Sequence, residues 1–138
     1  MKTIDMTELL SDAYDLADEI NKSHEVQSYL CSQAELQEDV EAQKLISEFQ
    51  KKKELYEETK RFGIFHPNYH EAKQEIEEVQ AQLRNNSVIR QFLEAEERLD
   101  QLLYQISSTI AKSVSHQIHI PIPDSSTPGK QRRGACHP

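Results

Sequence analysis

Apolar positions recur at helical spacing along most of this chain. Met6, Leu9, Leu10, Ala13, Leu16, Ala17 and Ile20 fall three and four residues apart, the spacing of one buried helix face. Asp5 and Glu8 form a capping box that opens this first helix. Asn21, Lys22 and Ser23 break the run. Ser23 is placed to N-cap a shorter second helix with Val26, Tyr29, Leu30 and Ala34 on its apolar side. Asp39 caps a third helix carrying Val40, Ala42, Leu45, Ile46, Phe49 and Tyr56. Lys51, Lys52 and Lys53, followed by Glu54, Glu57 and Glu58, offer intrahelical pairs on its wet face.

The pattern stops at residues 61–69, Arg61-Phe62-Gly63-Ile64-Phe65-His66-Pro67-Asn68-Tyr69. Gly63 suits a helix stop and Pro67 a helix start, with His66 or Asn68 as the cap of a fourth helix. Tyr69, Ala72, Ile76, Val79 and Leu83 then make a narrow stripe, closer to a coiled-coil seam than to a globular helix face. Asn85, Asn86 and Ser87 mark a softer break. From Val88 the pattern resumes through Ile89, Phe92, Ala95, Leu99, Leu102, Leu103, Ile106, Ile110 and Val114. That helix is on the order of 40 Å long at ~1.5 Å per residue. Pro121 and Pro123 force an extended path after it.

These elements predict an all-α fold, an extended antiparallel helical bundle of about five helices with a long C-terminal helix and coiled-coil-like packing. The helical domain is expected over residues 1–120, with a flexible, disordered basic tail over residues 121–138. Narrow stripes on long helices leave little core for one chain to enclose. The last helix must therefore lie along the first and third helices or along another copy, and a homo- or hetero-oligomer is expected.

Composition narrows the function classes. Hydrophobic residues make up 36% and charged residues 29%, with only three glycines, which suits long amphipathic helices. The net charge of −8 divides unevenly, with −10 over residues 1–120 and +2 over the last eighteen. An acidic body repels phosphate and argues against strong direct nucleic-acid binding. The alternative is RNA contact through the basic tail and residues 51–61. No apolar run reaches the ~18–20 residues a membrane span needs, and the first residues lack the apolar core of a signal peptide, so a cytoplasmic protein is expected. Cys31 and Cys136 form no metal site by local spacing and are expected to be reduced. Cys31 reads as a small buried residue within a helix, and Cys136 as exposed in the tail.

Catalysis finds no foothold. With Gly63, Gly129 and Gly134 as the only glycines, neither a phosphate-cradling loop nor a nucleophile elbow can be written. His66 and His70 are four apart, but Pro67 lies between them and no third ligand follows at helical spacing. His116 and His119 suit the C-terminal end of a helix dipole. A non-enzyme is expected. What remains is the corner. The first expectation is that Phe62, Phe65 and Tyr69 fold inward and seal the end of a helix pair. The alternative leaves part of that set exposed as a docking patch, and the two can coexist.

At this corner the chain resembles the YlbF branch of the bacterial YlbF/YmcA family. Arg61-Phe62-Gly63, then Phe65-His66-Pro67, Asn68 and Tyr69 carry the resemblance. Leu36-Gln37-Glu38-Asp39, Glu41-Ala42, Phe49, Asn86, Phe92, Ala95-Glu96, Leu99 and Ser113-Val114-Ser115 extend it over about residues 5–121. The resemblance implies a small, all-helical, non-catalytic cytoplasmic regulator. It implies action with YmcA-like and YaaT-like partners that assist the endoribonuclease RNase Y in mRNA processing, and so an effect on competence, sporulation and biofilm formation. Arg61, Phe62, Gly63, Phe65, His66, Pro67 and Tyr69 are then the candidate protein-interaction residues. Related proteins carry several tail cysteines and are linked to iron–sulfur clusters. This tail has Cys136 alone, which could only share an iron–sulfur cluster whose other ligands come from partners.

Overall fold

Four side chains set helix starts. Asp5 Oδ1 accepts from the Thr7 N–H at 2.8 Å, Ser23 Oγ from Val26 at 3.4 Å, Asp39 Oδ1 from Ala42 at 2.7 Å and Asn86 Oδ1 from Ile89 at 3.0 Å. Each satisfies an amide that a helix N-terminus leaves unpaired, worth about 0.5–2 kcal/mol. The computed structural model describes residues 5–123. It places α1 at Met6–Lys22, α2 at His24–Glu38, α3 at Val40–Arg61, α4 at Tyr69–Asn85 and α5 at Ser87–Val114. Among the described residues there is no strand, and the fold is all-α. The tail from Asp124, with Cys136, lies outside the described residues.

The contacts divide the chain between Leu99 and Asp100. In the first unit, α3 and α4 are the principal pair. They run antiparallel, because Lys52 meets Glu75 while Tyr56, further along α3, meets Tyr69, earlier on α4. The stripe expected on α4 is the buried one: Ala72, Ile76 and Val79 are buried, and Tyr69 and Leu83 are half-buried. From α3, Ala42 is fully buried and Thr59 nearly so. Thr59 Oγ1 donates to the Tyr56 carbonyl at 2.8 Å, so its burial leaves no polar atom unsatisfied.

The face of α2 is not the one its apolar residues suggest. Tyr29, Ser32 and Leu36 turn inward, and Ser32 Oγ donates to the Tyr29 carbonyl at 3.0 Å. Leu30, Cys31 and Ala34 are exposed, which corrects the expectation of a buried Cys31. The face is selected by the Tyr29 ring, which meets Phe92 of α5 at 5.5 Å and so fixes the rotation of α2. The first half of α5 presents Ile89 and Ala95 as buried residues beside Phe92. α1 meets α2 across Ser23, and none of its residues is buried.

The second unit is the remainder of α5 and the segment after it. α5 ends at Val114, the Ser115 N–H still donating to the Ala111 carbonyl at 3.0 Å. Residues 118–123 are not helical, as the two prolines require. Among the described residues no helix is long and apolar enough to cross a membrane.

Candidate functional site

The corner begins where α3 runs out of carbonyl partners. The Phe62 N–H donates to Thr59 at 3.2 Å and the Gly63 N–H to Lys60 at 3.1 Å. Gly63 has φ +89°, the left-handed conformation that ends helices and that a Cβ makes costly. Two tight turns follow, closed by the His66 N–H on Gly63 and the Tyr69 N–H on His66, each at 3.0 Å. The expected cap of α4 takes another form. Asn68 makes no side-chain cap hydrogen bond, while its N–H donates to His66 Nδ1 at 3.2 Å and its carbonyl accepts from Ala72 at 2.9 Å. His66 therefore braces the turn and does not cap the helix.

The aromatic side chains divide into two groups. Tyr69 is half-buried, its ring 5.7 Å from that of Tyr56. The two hydroxyls are 3.4 Å apart, long for an O–H···O bond, so ring packing carries most of this contact. The shared hydrogen bond, and burial after it, raise the Tyr56 phenol above its ordinary value. Phe62 and Phe65 do not fold inward. Phe62 is 70% exposed, with one side against the His66 ring at 5.6 Å, and Phe65 is 94% exposed. The sealing expectation thus holds for Tyr69 and fails for both phenylalanines. At the end of the pair Tyr56 packs on Tyr69 above the buried Thr59.

Below the corner, Lys52 Nζ and Glu75 Oε2 pair at 2.9 Å across α3 and α4. The hydrogen bond to Glu75 raises the Lys52 pKa. Both side chains are about one-third exposed, so the pair fixes register more than it adds stability. It replaces the intrahelical pairs expected from Lys51–Lys53: among the described residues the only other ion pair is Lys73 with Glu77 at 4.0 Å. No group of three or more His, Cys, Asp or Glu among the described residues is placed to hold a metal. Cys31 Sγ has Glu35 Oε1 at 3.8 Å as its hydrogen-bond partner.

The candidate set read from the sequence leaves out Ile64, which is exposed beside Phe62 and Phe65, and the supporting Tyr56, Lys52 and Glu75. A signal for the last three exists. Reflecting the chain about Gly63 brings Tyr56 opposite Tyr69 and Lys52 opposite Glu75 to within a residue or two, as an antiparallel pair demands.

The corner therefore presents Phe62, Ile64 and Phe65 to solvent on a backbone braced by turns, with Arg61 exposed beside them. Covering one such side chain is worth about 1.5–3 kcal/mol, the chemistry of a contact surface. The class this defines is an all-helical protein with an exposed apolar tip. Residues 9–115 match the family described as "Control of competence regulator ComK, YlbF/YmcA", and the chain belongs to that family. It is 35% identical over 119 residues to the Regulatory protein YlbF of Bacillus subtilis (strain 168), spanning 86% of this chain and 80% of that protein. A chain in the crystal structure of Bacillus subtilis RicA in complex with RicF superposes with a TM-score of 0.75 at 36% identity. That match covers 80% of this chain and 96% of that one.

Proposed function

We propose that this protein is a non-catalytic cytoplasmic adaptor that regulates by docking its helical corner onto other proteins. Its partners are YmcA-like and YaaT-like proteins, and through them it modulates RNase Y-dependent mRNA processing and so competence, sporulation and biofilm formation. The observation that carries this reading is Phe65, 94% exposed on a turn whose backbone is held by successive hydrogen bonds. An exposed ring on a fixed backbone loses little entropy on binding, which favours contact with a preformed pocket. Family membership and the structural likeness to a chain crystallised in a two-protein complex support a partner-dependent role.

Affinity capture of the full chain from its native cell tests this. The parent should recover YmcA-like and YaaT-like proteins, and Phe65→Ala should lose them while melting like the parent. Recovery of neither protein by the parent, under conditions that preserve complexes, would overturn the reading.

A further inference from the structure

The corner carries charge beside its apolar residues. From Thr59 to His70 there is no carboxylate, and Lys60 and Arg61 are both exposed. The ion pairs among the described residues are Lys52 with Glu75 and Lys73 with Glu77, so no described carboxylate is paired with Arg61. Glu57 and Glu58 stand one helical turn before Arg61 on α3, yet neither takes it. An exposed intrahelical pair of that kind is weak and easily exchanged for a better partner.

Covering the tip involves Arg61. Its Cα lies one peptide from that of Phe62, ~3.8 Å away. A pocket closing over Phe62, Ile64 and Phe65 therefore strips water from the guanidinium at its edge. Removing a charge from water outweighs an apolar contact unless an anion meets that charge. Lys60 differs, because its flexible stem can carry the ammonium back to water. The Arg61 guanidinium is a planar fork that a carboxylate accepts through two parallel hydrogen bonds.

The surrounding charges narrow the source of that anion. Residues 57–71 hold Lys60 and Arg61 against Glu57, Glu58 and Glu71, a net of −1. Anionic membranes recruit clusters of about 4–8 Lys and Arg, and the flanking glutamates would be repelled by lipid phosphates. A broadly acidic protein face would meet the same glutamates. One placed carboxylate beside an apolar pocket satisfies the tip without that repulsion.

We propose that the partner protein receives the corner in an apolar pocket edged by a single Asp or Glu, and that Arg61 pairs with that carboxylate. This rests on the docking reading above and names the chemistry of the surface that is docked. Phe62, Ile64 and Phe65 supply contact area, while Arg61 selects which apolar pocket is entered.

The test titrates the purified full chain with the YmcA-like and the YaaT-like protein of the same cell, each separately. Against the one that binds, Lys60→Gln should match the parent and Arg61→Gln should be at least ~30-fold weaker. Arg61→Glu should be weaker still, and Arg61→Lys should fall between Arg61→Gln and the parent, with melting unchanged in all four. A carbodiimide, which condenses an amine with a touching carboxylate into an amide with loss of water, should join position 61 of Arg61→Lys to one partner Asp or Glu. Reversing that partner residue to lysine should restore binding to Arg61→Glu. If Phe65→Ala loses the partner while Arg61→Glu binds like the parent, this inference is overturned and the docking reading stands. If the parent binds neither protein, the docking reading falls and this inference with it. Parent binding to phosphatidylcholine–phosphatidylglycerol vesicles, lost in both Arg61→Glu and Phe65→Ala, would give the tip to a membrane and also overturn it.

Discussion

α1 and α4 are each 17 residues long and carry apolar side chains at the same three-four spacing, yet one is bare and the other covered. The difference lies in what joins each to its neighbour. α4 follows a seven-residue corner in which Gly63 takes a left-handed φ, enough chain to fold α4 back along α3. α1 is joined to α2 by Ser23 alone, extended at ψ 153°, and a single residue cannot fold one helix back along the next. Periodicity therefore reports that a face exists, while the connection decides whether the adjoining helix can cover it; the first half of α5, which follows Asn86 alone, is instead met by α2 through Tyr29 and Phe92.

Substitutions break this comparison in order of effect. Ile76→Ala, in the covered stripe, should lower the unfolding free energy by about 2–4 kcal/mol in a denaturant titration, because it deletes buried methylenes and leaves a cavity. Gly63→Ala should cost about 1–2 kcal/mol. No atom lies within 4 Å of the added methyl, so the whole cost comes from the left-handed φ. Gly63→Asn, which tolerates that conformation, should recover part of it.

A smaller effect appears at high pH. Lys52 and Tyr56 are both raised in the folded state above ordinary values of 10.5 and 10.0. A raised pKa means the protonated form is favoured by folding. The contribution is thus full below about pH 10 and is lost as pH rises through the folded values. Melting temperature should begin to fall only in that alkaline range. Tyr69→Phe should bring the Tyr56 titration back toward 10.0, read by phenolate absorbance, with little change in stability at neutral pH.

Much of the fold is legible in the sequence. Ser23, Asp39 and the Asn86 break mark helix boundaries, and the α4 stripe is buried as its spacing predicts. Faces selected by partners are less so. Ser32 is buried while Leu30 is exposed, because the Tyr29–Phe92 contact fixes the rotation of α2, and that pairing joins residues far apart in sequence. The corner is legible as a corner from Gly63 and Pro67. The direction of its rings is not, since it depends on partners across the helix pair: Tyr69 meets Tyr56, while Phe65 stays exposed.

The most direct test of the account measures one variant, Phe65→Ala, in two ways. Thermal melting should match the parent within about 0.5 kcal/mol, the range of exposed-surface substitutions, while capture of a YmcA-like partner is lost. A large drop in melting temperature with partner capture unchanged would make the corner core and contradict its proposed role as a contact surface.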